Sequence, residues 1–159
     1  MLHDCSHDGC KVGGCIKLEV LVAPDYEKDP QRFKWFCEAH AEAFEADLEK
    51  RHDYAKRVEV IPVVGMGATA GYGSDRYPYT VIKVSTNGKT ITVQADDYKP
   101  APGHHYINNQ VYTYTPNPQG ETKVFTLRDN GRWVLRGESK QGGLCLGLGV
   151  RRHYHDPSF

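Results

Sequence analysis

Four residues near the start of the sequence limit what its first third can fold into: Cys5, Cys10, and the pair Cys37 and His40 within Trp35-Phe36-Cys37-Glu38-Ala39-His40. Two closely spaced thiols, a longer gap, then a Cys and a His three positions apart is the spacing of a four-coordinate site. Thiolate sulfur and imidazole nitrogen are the donors that tetrahedral zinc prefers. The expectation is a structural zinc held by Cys5, Cys10, Cys37 and His40, with His3, His7 and Cys15 near enough in sequence to act as substitutes. Four donors of these types leave no open coordination position, which favours a structural over a catalytic role.

The segment between and after these ligands reads as one strand and one helix. Residues 16–22 form a short apolar run with β-branched members, which fits a strand. Asp29-Pro30 supplies an N-cap acceptor followed by proline at the first helical position. Phe33, Phe36, Cys37, His40, Phe44 and Leu48 then recur at three- and four-residue steps, one apolar stripe on a helix expected over residues 30–54. Such a helix places Cys37 and His40 one turn apart on the same side.

After Arg57 the pattern changes to strands and tight turns, so the expected division is a Cys/His module, residues 1–57, and a β domain, residues 58–159. The run 58–64 is expected to lead into a glycine-rich loop, 65–74. Strands 79–85 and 90–95 flank Asn87-Gly88, a tight-hairpin signal, with Ile82, Val84, Ile91 and Val93 on one face. A polar loop over 96–109 is followed by strands 111–115 and 123–128, expected to pair with each other. Asp129-Asn130-Gly131 then turns into 132–136, and 144–150 closes the set. Short strands joined in this way predict a mainly β (α+β overall) chain: a small antiparallel SH3-like barrel or curled sheet preceded by the zinc-stabilised strand and helix.

Charge is balanced at 20 basic and 20 acidic side chains. Residues 1–57 carry 9 Lys and Arg against 12 Asp and Glu, and residues 58–159 carry 11 against 8. So slight a basic surplus argues against extended, sequence-blind nucleic-acid binding, whose affinity comes from many phosphate contacts. No apolar run of signal-peptide length follows Met1, and no stretch is long enough to span a bilayer. Four of the five cysteines lie in the first 37 residues and read as thiols, not disulfides. The expectation is an intracellular protein without membrane contact.

The strings Gly67-Ala68-Thr69, Ser74-Asp75-Arg76-Tyr77-Pro78-Tyr79-Thr80-Val81, Asn130-Gly131-Arg132-Trp133, Gly149-Val150-Arg151-Arg152 and Asp156-Pro157-Ser158-Phe159 together resemble a group of small uncharacterised proteins encoded by tailed bacteriophages. The likeness covers roughly the last ninety residues and excludes the Cys/His module. It implies a phage context, hence the host cytoplasm or a virion, and no catalytic residues.

The remaining candidates are aromatic and arginine side chains. Tyr72, Arg76, Tyr77 and Tyr79 cluster in and after the glycine-rich loop, and Arg132, Arg136, Arg151, Arg152 and Tyr154 follow. Tyrosine faces stack on bases and guanidinium forks grip phosphates, so these nine residues are the expected ligand-binding set. Alternation in 132–136 puts Trp133 and Leu135 toward the core and both arginines outward. Residues 65–71 lack the Gly-Lys-Ser/Thr ending of a phosphate loop and read as a barrel loop. Cys145, between two leucines, reads as a small core hydrophobe. No carboxylate pair or nucleophile signature calls for catalysis. The expected function is therefore a non-enzymatic phage protein that captures a small anionic nucleotide, as in sequestering a host defence signal. The alternatives are a nucleic-acid or protein interaction module and a structural virion or assembly component, with homo-oligomers a further expectation.

Overall fold

The computed structural model describes residues 2–20, 33–50 and 55–158. The chain divides into two compact units, Met1–Ile61 and Pro62–Phe159.

In the first unit, β1 (His3–Asp4) pairs with β2 (Gly13–Gly14), and β3 (Ile16–Val20) is the centre of a three-stranded antiparallel sheet between β4 (Phe33–Phe36) and β5 (Ala55–Val60). Ile16 and Leu18 alternate onto the face covered by α1 (Glu38–Lys50), and with Phe36, Ala41 and Leu48 they form the buried core. Phe36 also stacks on Phe44 of the helix, centroids 4.8 Å apart. Gly14 is required by close approach: a Cβ there would lie 2.9 Å from the Trp35 Cβ and 3.1 Å from the Asp4 carbonyl oxygen.

Two expectations fail here. The helix begins at Glu38, and Phe33 and Phe36 belong to a strand; Asp29, Pro30 and Tyr54 lie outside the described residues. Phe33 and Phe36 satisfy a helical period, but aromatic residues also favour strands, and β3 offers an edge that pairs them. Residues 58–60, expected to open the barrel, instead continue β5 along β3, with Ile16 opposite Val60 and Leu18 opposite Arg57. An apolar run carries no information about which sheet will accept it.

The second unit is a closed barrel. β6 (Gly67–Tyr72), β7 (Asp75–Val84), β8 (Thr90–Pro100), β9 (Tyr112–Pro116), β10 (Thr122–Leu127), β11 (Trp133–Leu135) and β12 (Cys145–Leu148) follow in chain order. Six of them close the ring β6–β7–β8–β10–β11–β12–β6, every pair antiparallel. Met66, Ala68, Ala70, Val81, Ile91, Val93, Phe125 and Val134 are its most deeply buried residues. A large aliphatic or aromatic side chain buried this way contributes about 1.5–3 kcal/mol.

The barrel departs from the sequence reading in four places. The glycine-rich stretch forms β6 for most of its length, because β7 and β12 pair it on both sides and Ala68 and Ala70 face inward. A register shift between Val81 and Lys83 bulges β7, so Ile82 is exposed and Val81 takes the core position opposite Val93. β8 runs on through the expected polar loop to Pro100, and β9 pairs with this second half of β8, Asp96 opposite Pro116, while β10 pairs with its first half. Beyond the buried Asp96 the extension, 97–100, is exposed and so lacks hydrophobic alternation. At the branch point Gly120 crosses β8, where a Cβ would sit 2.2 Å from the Ala95 carbonyl oxygen. Finally, Trp133 is buried and Arg132 and Arg136 are exposed as expected, but Val134 is buried too. The chain at Gly143 covers it, an added Cβ there lying 2.8 Å from Val134 Cγ1.

Residues 149–158 form a strap over the outside of β6 and β7. Thr69 Oγ1 donates to the Val150 carbonyl at 2.7 Å, and Arg76 and Tyr154 exchange backbone hydrogen bonds at 2.9 and 3.0 Å.

Candidate metal centre and ligand groove

Cys5 follows β1, Cys10 precedes β2, and Cys37 and His40 open α1. Cys37 holds the N-cap position, its carbonyl accepting the Ala41 N–H at 2.9 Å, which puts His40 three residues on, over the same first turn. The ligand atoms of all four residues lie within 4.8 Å of one another. Cys37 Sγ is 3.2 Å from His40 Nδ1, Cys5 Sγ is 3.6 Å from the same nitrogen, and the sulfurs of Cys10 and Cys37 are 3.9 Å apart. Tetrahedral bonds of about 2.3 Å to sulfur and 2.0–2.1 Å to nitrogen place ligand atoms roughly 3.6–3.8 Å apart. The spacing therefore suits one tetrahedral ion.

The surroundings favour the thiolate at Cys5, whereas at Cys10 the backbone contact at Val12 is outweighed by burial and the neighbouring Cys5 and Cys37 sulfurs, which push the thiol up. Burial works against the Cys5 charge, but the backbone N–H groups of His7 and Cys37 outweigh it and hold the thiol below its ordinary range. His7 stacks on the His40 ring at 3.9 Å and orients it. Of the proposed substitutes, Cys15 is buried apart from the cluster, and burial pushes its thiol up, as befits a core residue. Among the described residues His7 supplies no ligand atom to the cluster, and the His3 side chain lies outside the described residues.

On the barrel, the structure sorts the nine expected ligand residues into distinct places. Arg76 from β7, Arg132 from the turn before β11 and Arg152 from the strap line one groove of about 490 Å³. Its floor is glycine and threonine, Gly71, Gly73, Gly143, Gly147 and Thr69, and its lining holds no carboxylate or imidazole. Arg76 lies along the floor, its Nη1 donating to the carbonyls of Gly73 and Asp75 at 2.9 and 2.7 Å. Gly71 makes this room, since a Cβ there would meet Arg76 Nη1 at 3.3 Å. Tyr72 stands in an adjoining hollow that shares Gly71, Gly73 and Gly143 with the groove, and Tyr72, Tyr77 and Tyr79 line a third, of about 420 Å³. Tyr79 is buried, and loss of water raises its phenol above the usual range.

Three members of the set lie elsewhere. Arg151 is not presented to a ligand: its Nε donates to Asp96 Oδ2 at 2.8 Å and its Nη2 to Thr80 Oγ1 at 2.9 Å, in a network where Thr80 also donates to Asp96 at 2.6 Å. The Asp96 side chain is 1% exposed, and a carboxylate so buried requires this cation. Arg136 is exposed but lines none of the three hollows. Tyr154 acts through its backbone, fastening the strap to Arg76.

The sequence reading missed residues that the structure makes prominent. Cys145, expected in the core, is half-buried and lines the arginine groove, with Arg132 Nη2 donating to its sulfur at 2.9 Å; a leucine on each side suggested burial, but only Leu146 faces inward. Glu138 borders the two tyrosine-lined hollows. His153 is buried on the strap, stacked on Tyr98 at 3.6 Å and edge-on to Tyr112 at 4.7 Å. Nothing in their local spacing distinguishes these residues.

Fold and sites together define a mainly β protein: a closed six-stranded barrel with a basic groove, and a separate Cys/His module suited to one metal ion. No family model, curated protein or solved structure matches the chain. Among the described residues no helix is long and apolar enough to cross a membrane.

Proposed function

We propose that this is a phage-encoded, non-enzymatic binding protein whose barrel captures a small anionic nucleotide, and whose first unit is held together by a structural zinc ion on Cys5, Cys10, Cys37 and His40. The observation that carries the reading is the convergence of Arg76, Arg132 and Arg152 on one groove with no acidic lining, next to the exposed ring of Tyr72. Guanidinium forks match phosphate oxygens bidentately, and an aromatic face beside them suits a base. The volume falls in the range of small-molecule sites. A compact site of this kind in a chain of zero net charge suits a compact anion better than a polymer, which needs a longer basic track. Cys145 has no base among the groove's lining residues, which supports binding without covalent chemistry. In a phage such capture would withdraw a host signalling nucleotide in the cytoplasm.

Isothermal titration of the full-length protein with nucleoside mono-, di- and triphosphates tests this. Binding should be measurable and weaken at least tenfold in Arg132→Ala and in Arg152→Ala, with melting temperature unchanged. Absence of binding to every nucleotide, or equal binding by both variants, defeats the reading.

A further inference from the structure

The arginine groove and the two tyrosine-lined hollows are separate cavities that abut at shared residues, a segmented trough. The first and second share Gly71, Gly73 and Gly143, and the second and third share Tyr72, Glu138 and Leu144. Its chemistry runs in one direction, from guanidinium groups at one end to tyrosine rings and carboxylates at the other. We infer that the trough takes a guanine nucleotide with two or more phosphates, the phosphates among Arg76, Arg132 and Arg152 and the base at Tyr72 and Glu138. This deepens the nucleotide-capture reading above and rests on it.

The phosphate count follows from charge. One terminal phosphate carries about −1.5 to −2 at pH 7, less than the three guanidinium groups supply, while a second phosphate brings the anion near their combined charge. The base follows from the far end. A carboxylate only accepts hydrogen bonds, so it repels the ring nitrogens and carbonyls of a base edge and welcomes N–H groups. Guanine alone among the common bases presents two adjacent donors, N1–H and the 2-amino group, at the spacing of two carboxylate oxygens. Adenine sets an acceptor beside its amino group, and uracil flanks its single N–H with carbonyls. Of the two carboxylates there, Glu121 is tied to Lys123 at 2.7 Å. Glu138 instead accepts the Leu144 backbone N–H on Oε2, which fixes the carboxylate while leaving acceptor capacity on both oxygens. Tyr72, 72% exposed, borders both hollows that Glu138 borders and offers the face on which the base stacks.

The test is titration of the full-length protein with GDP, ADP, GMP and inorganic phosphate, repeated on Glu138→Gln and Tyr72→Ala. GDP should bind at least tenfold tighter than ADP and than GMP, with phosphate weaker still. Glu138→Gln should abolish the preference for GDP over ADP while leaving ADP within threefold, and Tyr72→Ala should weaken GDP and ADP alike. Equal affinity for GDP and ADP in the wild type, or a preference that survives Glu138→Gln, overturns the guanine assignment and leaves nucleotide capture standing. Equal affinity for GMP and GDP overturns the phosphate count. Failure of all nucleotides to bind overturns both this inference and the reading beneath it.

Discussion

Arg151 and Arg152 are neighbours with opposite assignments, and a substitution separates them. Arg151→Met keeps the aliphatic stem but removes the guanidinium, leaving the Asp96 carboxylate, 1% exposed, with Thr80 Oγ1 at 2.6 Å as its remaining donor in this network. Breaking a buried pair costs about 3–5 kcal/mol. The Arg151 side chain is 23% exposed, so water partly screens the pair and the lower end, about 3 kcal/mol, applies. For a unit of this size each kcal/mol moves the melting temperature by about 4–8 °C, so the barrel should melt roughly 12–24 °C lower. Adding Asp96→Asn removes the stranded charge, and the double variant should recover more than 1 kcal/mol of the loss. Urea denaturation of the four species of the cycle, followed by tryptophan fluorescence, supplies the coupling energy. A loss below about 1 kcal/mol in Arg151→Met, or strict additivity, would refute the argument that this arginine exists to neutralise Asp96. Arg152→Ala in the same assay should leave stability within about 0.5 kcal/mol, as expected of an exposed side chain.

The strap should also make stability depend on pH. Burial, and then the charge of His155, lower the affinity of His153 for a proton, against weaker support from the Arg76 backbone and then from Asp75; Tyr77, Tyr98, Tyr112 and the Tyr114 hydroxyl pack around it. Its folded value lies below the unfolded one of about 6.5, so the unfolded chain takes up the proton first. Stability is then fully present above that pH and falls as pH drops toward the folded value; urea midpoints at pH 7.5 and 5 should show a decline that His153→Phe reduces. In the first unit, Cys37→Ser should remove bound metal, by mass spectrometry of the native protein, and the helical signal of α1 with it, since a structural zinc supplies about 10–16 kcal/mol of apparent binding energy. Cys15→Ser should retain the metal; its loss there would contradict the ligand assignment.

How much of this was legible in the sequence depends on the range over which each signal acts. The Cys/His cluster was legible because donor chemistry and short spacing carry the information together, and the structure brings the same four side chains to one point, compatible with a metal site. The tight turns were legible for a similar reason: Gly88 and Gly131 have φ of 68° and 77°, where residues with a Cβ are strained. The mainly β barrel followed from the regular recurrence of strands and turns. What failed was everything set by a partner far along the chain. Phe33 to Phe36 fits both periods until β3 supplies an edge. The end of β8 beyond Asp96 is exposed and reads as loop until β9 pairs with it. The run 58–60 joins whichever sheet has a free edge.

The arginines are the sharpest case. Residue type marks all of them equally as phosphate ligands, and only the path of the strap sorts them: successive side chains of extended backbone point to opposite sides, so Arg151 goes down to Asp96 and Arg152 goes out to the groove. The consequence reaches the function. Arg76, Arg132 and Arg152 come from three distant stretches, and two are fixed by something other than a ligand: Arg76 by carbonyls of its own turn and Arg132 by the Cys145 sulfur, while the Arg152 backbone follows Arg151, which is anchored to Asp96. Three like charges held around one cavity repel one another, and a fold gains nothing from that arrangement by itself. An anion in the groove would relieve the repulsion with Arg76 and Arg132 already ordered, which is the condition under which binding energy is expressed as affinity and under which a ligand would stabilise the barrel in proportion to its occupancy.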